Sequence, residues 1–195
     1  VEDRERYMTV YFPCGRIGLK GFFVDNKLPE SCGHTVYGVY CENEKTYTIG
    51  EMLEKLPKEE MDVFQLNELF CRFDKLPEEM QRVYDLTLQL KEPRNVKGMI
   101  DLMEHLSEVC VVNGIQNERQ LGEFLVENEL FDVSFPDEVL PYLDYAKIGR
   151  EHMQTHQGKL IQGAYVEDTS TDNVNQFSQE SNEENDQSDD YEMKL

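Results

Sequence analysis

The stretch Leu76-Pro-Glu-Glu-Met-Gln-Arg-Val-Tyr-Asp-Leu-Thr-Leu-Gln-Leu90 predicts the clearest helix of this chain. Pro77 stands at the first turn, where its missing N–H costs no hydrogen bond, and Glu78 and Glu79 follow where the helix dipole favours negative charge. Apolar side chains then recur at helical spacing and form one face for burial. The members of this face are Met80, Val83, Tyr84, Leu86, Leu88 and Leu90. The middle of the chain is therefore expected to be helical.

The flanking residues have the same character, so we predict a central helical lobe over 51–110. Asp62 precedes an apolar stripe that runs to Phe73 at helical spacing, and Asn95 precedes another that runs to Cys110. Asp and Asn are favoured N-cap residues because their side chains accept hydrogen bonds from the first N–H groups of a helix.

Residues 1–50 show a different pattern, with short runs rich in β-branched and aromatic residues and with Gly and Pro between them. Such runs are typical of strands joined by turns. We predict three strands, Met8–Phe12, Leu19–Val24 and Thr35–Cys41, and so an N-terminal antiparallel β-sheet lobe.

Residues 111–166 predict a mixed C-terminal lobe. One helix is expected after Asn113 or Asn117, and a second is expected to begin at Asp137 and to run through Ile148. Two short β segments are expected to close this lobe: Leu160–Ile161 and Ala164–Val166. The predicted fold is thus α+β, an elongated chain of three small lobes.

Residues 167–195 carry ten acidic residues and one lysine, and the rest of the segment is mostly Ser, Asn and Gln. Such a segment cannot bury enough apolar surface to offset the entropy lost on ordering. We predict a disordered acidic tail over this range.

The net charge of the 195 residues is -21, from 40 acidic and 19 basic side chains. This charge disfavours direct binding to nucleic acid or to an anionic membrane, and it favours basic surfaces, including those that bind DNA. The sequence contains no apolar run of the roughly 18 residues that a membrane span needs, and no signal peptide is expected. Five cysteines, an odd number without a CxxC pair, indicate reduced thiols and a cytoplasmic protein.

Catalytic and metal sites are not expected from the sequence. His152 and His156 are spaced i, i+4, but no HExxH pattern surrounds them and no nearby cysteine completes a zinc site. No nucleophile with an orienting base can be assembled either. We therefore predict a protein that is not an enzyme and that has no cofactor and no metal.

Acidic residues on helices are the strongest candidates for function. Carboxylates at i, i+3 and i+4 lie about 5–6 Å apart, which resembles neighbouring phosphates along a DNA strand. The candidate carboxylates for a surface that imitates DNA are Glu59, Glu60, Asp62, Glu68, Asp74, Glu78, Glu79, Asp85, Glu104, Glu108, Glu123, Glu127, Asp137 and Glu138.

The segment 135–151, FPDEVLPYLDYAKIGRE, resembles the C-terminal signature of the ArdA family of antirestriction proteins. The matching residues are Pro136, Tyr142, Asp144, Tyr145, Gly149, Arg150 and Glu151. Upstream, Leu19-x-Gly21-x-Phe23 resembles the first-lobe motif of that family, and the segments 65–69 and 76–79 resemble its central lobe.

This resemblance implies an elongated, acidic protein of three lobes that imitates bent DNA. It implies inhibition of type I restriction–modification enzymes, by occupation of the DNA groove of their specificity and methyltransferase subunits. It also implies carriage on plasmids, conjugative transposons or phages, and action in the cytoplasm of a bacterial host.

The family likeness further implies a homodimer through the C-terminal lobe. We expect Tyr142 and Tyr145 to share one helix face at that interface, Gly149 to admit a close backbone approach, and Arg150 to pair with Asp144 or with a carboxylate of the second subunit. A monomer whose tyrosines close its own core is the alternative. An acidic interaction module of a mobile element, with another basic partner, remains the alternative function.

Overall fold

The computed structural model describes residues 8–27, 35–41, 43–130 and 135–171. Over these ranges the chain is α+β, as predicted, with seven α-helices and one small antiparallel sheet. The helices are α1 (Gly15–Asp25), α2 (Tyr47–Lys55), α3 (Val63–Phe73), α4 (Glu78–Lys91), α5 (Val96–Leu102), α6 (Glu118–Glu127) and α7 (Tyr145–Thr155). The strands are β1 (Val109–Asn113), β2 (Lys159–Ile161) and β3 (Ala164–Asp168).

The chain divides into two compact units, residues 1–106 and residues 107–195. The boundary predicted at residue 50 falls within α2, and the boundary predicted at residue 110 falls within β1. We call the two parts the helical unit and the C-terminal unit.

The stretch 76–90, from which we predicted a helical lobe, forms a helix of the helical unit. Helix α4 begins at Glu78, directly after Pro77, and ends at Lys91. Its Tyr84 is fully buried and donates a hydrogen bond of 2.8 Å from its hydroxyl to the carbonyl of Met99 in α5. Asp62 caps α3 by accepting hydrogen bonds from two backbone N–H groups, as predicted from its position before the apolar stripe.

The predicted N-terminal sheet is wrong. The segment Leu19–Val24 lies in helix α1, because Leu19 and Phe23 are spaced i, i+4 and are both buried, whereas Val24 is exposed. The ring of Phe23 stacks on that of Phe64 in α3, with centroids 5.4 Å apart. Packing against α3 therefore outweighs the strand preference of this aromatic stretch.

The other two predicted strands are also absent from the described residues. Neither Met8–Phe12 nor Thr35–Cys41 forms a strand there. Their apolar side chains nevertheless contribute to the core, since Val36 and Val39 pack against it and the ring of Phe12 stacks on that of Phe70. Burial of single side chains, without strand pairing, satisfies the hydrophobic pattern of both segments.

The helix predicted from Asn95 to Cys110 ends early, at Leu102. Asn95 caps α5 as expected, but a 3₁₀ turn over Leu106–Glu108 separates this helix from strand β1. The valines and cysteine of β1 pair with β3, with Val111 opposite Val166. A β-branched run that has a partner strand forms a strand in preference to a last helical turn.

The C-terminal unit contains the sheet, in the order β1-β3-β2, together with α6 and α7. Both predicted closing segments are strands, and Gln162 and Gly163 join them with positive φ at both residues. Strand β3 continues through Asp168 and a 3₁₀ turn follows over Thr169–Thr171, so the first five residues assigned to the acidic tail belong to the fold. The rest of that predicted tail, from residue 172 onward, lies outside the described residues.

Helix α6 begins at one of the two predicted positions, whereas α7 begins later than predicted. Asn117, the second of the two candidates, caps α6. The helix predicted from Asp137 is wrong, because Leu140–Tyr142 forms a 3₁₀ turn and α7 begins only at Tyr145, capped by Asp144. The 3₁₀ turn contains Pro141, which lacks the N–H that a continuous helix would use.

The four described cysteines are free thiols, as the odd cysteine count predicted. None of the described helices has both the length and the apolar character that crossing a membrane would require.

Candidate functional site

Eight of the fourteen candidate carboxylates are solvent-exposed and form no ion pair within the described part of the chain. They are Glu59, Glu60, Asp62, Asp74, Glu79, Glu127, Asp137 and Glu138. The first five belong to the helical unit and the last three to the C-terminal unit. Each unit therefore offers negative charge that a basic partner can reach.

Four other candidates are neutralised by bases of their own chain. Arg72 lies 2.7 Å from a carboxylate oxygen of Glu104 and 2.7 Å from one of Glu68. Hydrogen bonds with Glu104 and then with Glu68 raise the pKa of Arg72 above its usual value. The other two pairs are Lys45 with Glu78 and Arg119 with Glu123. Bases of the chain therefore compensate four of the fourteen candidate carboxylates.

Asp85 and Glu108 depart from the prediction because both are partly buried. Burial raises the pKa of Asp85 to about 6, and its Oδ1 has no hydrogen-bond partner among the described residues. A carboxylate in this position contributes little to an outer acidic surface.

Residues 135–151, which resemble the ArdA signature and which we call the family-like segment, contain the start of α7. Asp144 accepts a hydrogen bond of 3.1 Å from the backbone N–H of Lys147, and the hydroxyl of Tyr145 donates one of 3.0 Å to the carbonyl of Leu140. Tyr142 ends the preceding 3₁₀ turn and is 86% exposed. The expectation that both tyrosines share one helix face is therefore wrong, since only Tyr145 lies in α7.

Arg150 pairs with a carboxylate of its own chain that the prediction did not consider. Its Nε and Nη2 donate to one oxygen of Glu118 in α6, at 3.0 Å and 2.7 Å. The hydrogen bond from Arg150 lowers the pKa of Glu118. Arg150 thus joins α7 to α6 rather than pairing with Asp144.

Two glycines permit the close crossing of α6 and α7. A Cβ atom on Gly149 would collide with the backbone carbonyl of Glu118, and one on Gly122 would collide with the carbonyl of Tyr145. A close backbone approach does occur at Gly149, but within one chain, and the approach predicted at a dimer interface stays a prediction.

A cluster of two histidines and a glutamate lies where the end of α7 meets β3. One nitrogen of His152, one of His156 and one carboxylate oxygen of Glu167 all lie within 4.8 Å of one another. His152 Nε2 is 3.3 Å from Glu167 Oε2, and the two imidazole rings stack with centroids 4.0 Å apart. We call these three residues the histidine–glutamate cluster.

The carboxylate of this cluster is held from two sides. The hydroxyl of Tyr165 donates a hydrogen bond of 2.5 Å to Glu167 Oε2, the oxygen that also faces His152. Burial by itself raises the pKa of Glu167, but the hydrogen bonds from His152 and Tyr165 act in the opposite direction, and the pKa lies below its usual value. The carboxylate form is therefore the favoured one.

Sequence reasoning identified His152 and His156 but missed Glu167. The i, i+4 spacing places both histidines on one helix face. Glu167 is the first residue of the predicted disordered tail, and a disordered residue would hold no fixed position beside the histidines. The available signal was the two-residue period of a strand, which places Glu167 on the same face as Tyr165 if the predicted segment Ala164–Val166 continues by one residue.

Comparisons with known proteins identify no family. A scan against protein-family models finds no match to this chain, and a search of curated proteins finds none either.

Proposed function

We propose that this chain is a DNA mimic that occupies the DNA-binding groove of a type I restriction–modification enzyme and inhibits it. The observation that carries the proposal is the set of eight exposed candidate carboxylates that form no ion pair among the described residues, on a chain of net charge -21. The resemblance of residues 135–151 to the ArdA signature supports the choice of partner. Under this proposal the protein is not an enzyme, and it acts in the cytoplasm of a bacterium that carries a mobile element.

The physical basis of the proposal is competition for a basic surface. A groove that neutralises phosphates with Lys and Arg binds carboxylates through the same Coulomb attraction. Exposed carboxylates such as Glu59, Glu60 and Glu79 form no ion pair among the described residues and can therefore face a partner. Long-range attraction also raises the rate at which the two proteins meet.

A second candidate function is an acidic interaction module of a mobile element with a different basic partner. The observation that favours it is the compensation of four candidate carboxylates by the cations Arg72, Lys45 and Arg119. Such pairs suit a partner whose own surface mixes charges better than they suit a uniformly basic groove.

We further propose that the protein is a homodimer through the segment around Tyr142. Tyr142 and Val139 are 86% and 41% exposed, and both lie in the family-like segment. Tyr145, Gly149 and Arg150 already make contacts within their own chain, so the proposed interface is limited to the exposed side chains. Sedimentation of Tyr142→Ala tests it, with the exposed Tyr11→Ala as the control; a wild type that is monomeric at micromolar concentration would refute the dimer.

The inhibition test is a competition between this protein and DNA for a purified type I enzyme. We expect the wild type to block both DNA binding and cleavage. Replacing Glu59, Glu60 and Glu79 by Gln should weaken inhibition strongly. The matched control replaces Glu68, Glu78 and Glu104, which changes the net charge equally but removes carboxylates that are already paired.

Binding should also depend strongly on salt. Because screening weakens contacts between exposed charges, we expect the affinity to fall about tenfold or more between about 50 and about 200 mM salt. Binding of another basic protein, with no effect on a type I enzyme, would favour the second function. An equal effect of the two triple variants would show that net charge, and not these positions, decides the inhibition.

A further inference from the structure

We propose that the histidine–glutamate cluster is a binding site for a divalent transition metal of the zinc class. This inference does not rest on the proposed inhibitory function. It rests on the convergence of one imidazole from the last turn of α7, one from its C-cap residue and one carboxylate from β3, whose ligand atoms lie within 4.8 Å of one another. Two nitrogen ligands and one oxygen ligand suit Zn²⁺ and its neighbours better than Mg²⁺ or Ca²⁺, which prefer oxygen alone.

The hydrogen bonding of His156 leaves a nitrogen available for a metal. Its Nδ1 lies 3.0 Å from the backbone carbonyl of His152, and a carbonyl oxygen only accepts hydrogen bonds. Nδ1 therefore carries the proton, and the lone pair of the neutral ring lies on Nε2. Histidines that bind metals commonly donate their second ring N–H to a carbonyl in this way, which fixes the orientation of the ring.

The spacing of the first two ligand atoms matches tetrahedral coordination. Two ligands that are each about 2.0 Å from a tetrahedral zinc lie about 3.3 Å apart. His152 Nε2 and Glu167 Oε2 are separated by 3.3 Å. Both side chains are mostly buried, with exposures of 15% and 12%, so little side-chain freedom is left to lose on binding.

The surroundings of Glu167 resemble the supporting groups of a metal site. The Tyr165 hydroxyl donates to the carboxylate, and the Tyr165 side chain is only 2% exposed. A Cβ atom on Gly158 would collide with this ring, so glycine there leaves room for the tyrosine. Hydrogen bonds to a ligating carboxylate orient it, and their loss typically weakens metal binding about tenfold or more.

Three protein ligands leave a fourth position on zinc for water or for another ligand. Coordination would also tie the end of α7 to β3, because His152 lies in the last turn of the helix, His156 is its C-cap residue and Glu167 belongs to the strand. A metal bound only by the folded unit stabilises that unit in proportion to its affinity. We therefore expect both binding and stabilisation on addition of Zn²⁺ alone.

The test titrates the full chain with Zn²⁺ against a chromogenic chelator. We expect one tight site per chain, with Kd at about micromolar or below, and an increase in Tm when zinc is added. His156→Gln and Glu167→Gln should each raise Kd about tenfold or more, and Tyr165→Phe should raise it to a smaller extent. The matched control is His105→Gln, a histidine of the helical unit outside the cluster.

Co²⁺ substitution supplies a readout on the wild type that does not depend on how the variants fold. Absorption bands of four-coordinate cobalt, lost on addition of Zn²⁺, would support the site. Circular dichroism of each variant establishes that its helices are retained. Absence of a tight zinc site in the wild type, or an unchanged Kd in both His156→Gln and Glu167→Gln, would overturn the proposal. In that case the cluster is a hydrogen-bonded group of side chains without a metal.

Discussion

The two units of this protein bury their apolar side chains in different ways. Among the described residues, the core cluster of the helical unit contains fifteen buried side chains, with Leu, Ile, Met and Phe predominant. The corresponding cluster of the C-terminal unit contains four: Ile115, Leu121, Leu125 and Tyr165. In place of a large core, this unit has a glycine-mediated helix crossing and a polar cluster at the meeting of α7 and β3.

Because their cores differ in size, the two units are expected to be sensitive to different substitutions. A core of many large side chains distributes its free energy over many contacts, so the loss of one polar group costs only a part of it. A unit with a small core depends on close backbone packing, which tolerates no added atom at the point of contact. The predictions below test this comparison, from the largest expected effect to the smallest.

The largest effect is expected from Gly149→Ala in the C-terminal unit. The new methyl group would collide with the backbone carbonyl of Glu118, and a backbone cannot move aside as a flexible side chain does. We expect a loss of about 3 kcal/mol in the free energy of unfolding of this unit. Hydrogen exchange of the β1 and β3 amides measures that loss within the unit itself.

The matched control for this change is Gly21→Ala in α1. A Cβ atom at Gly21 would meet nothing within 4 Å. Alanine there should stabilise the helix by about 0.5–1 kcal/mol, because glycine loses more backbone entropy on folding. If both substitutions changed the free energy of unfolding by the same small amount, close backbone packing would not distinguish the C-terminal unit from the helical unit.

In the helical unit we expect a smaller loss from Tyr84→Phe. The substitution keeps the ring but removes the hydroxyl that donates to Met99, leaving a buried carbonyl unpaired. The expected cost is about 2 kcal/mol, measured by urea unfolding. Tyr11→Phe, at an exposed tyrosine of the same unit, serves as the control and should change the midpoint by no more than experimental error. A loss below a few tenths of a kcal/mol would mean that water replaces the missing donor.

Asp85→Asn should stabilise the helical unit at neutral pH. Burial raises the pKa of Asp85 from 3.8 to about 6, so the folded state favours the protonated form. The wild type should therefore lose stability as pH rises from about 4 to about 6, and Asn should remove this dependence. Because solvent reaches part of the group and screens the effect, we expect about 1 kcal/mol.

Urea unfolding at several pH values measures this effect. The control is Asp101→Asn, an exposed acid of α5. Wild-type stability that rises over the same pH window would contradict the assignment of Asp85.

The smallest effect is expected from Arg150→Gln. Its ion pair with Glu118 is solvent-exposed, so screening leaves it little net free energy. The pKa of Glu118 is lowered by this pair, so what stability the pair contributes is present above pH 4.5 and is lost as pH falls. We expect a slight decrease in Tm at low salt that vanishes at high salt, with Lys147→Gln as the control. A large, salt-independent decrease would show that Arg150 is a structural support of the crossing.

Much of the local structure could be predicted because the deciding signals lie within a few residues of one another. The helix that follows Pro77 needs only a start signal and an apolar stripe, and both are visible in the stretch 76–90. Asp62 and Asn95 cap helices for the same reason, since a cap is a contact between near neighbours. The β2–β3 hairpin likewise depends on a short turn that contains Gly163.

The incorrect predictions concern contacts between residues far apart in the sequence. Residues 19–24 have strand-forming composition, and the burial of Leu19 and Phe23, with Phe23 packed on Phe64 of α3, makes a helix the better solution. The partner of Arg150 is 32 residues away, which no local pattern indicates. Composition favours a broad class of structures, whereas the choice among them depends on which distant surfaces become buried together.

The sequence by itself determined the acidic charge, the α+β class, the position of α4 and the i, i+4 pair of histidines. Tertiary structure alone decided which of the candidate carboxylates remain unpaired, that Asp85 is partly buried, and that Glu167 joins the histidines. The physical reason is that charge and helical spacing are properties of the chain. Burial and ligand convergence arise only when separate elements pack, as β3 does beside the end of α7.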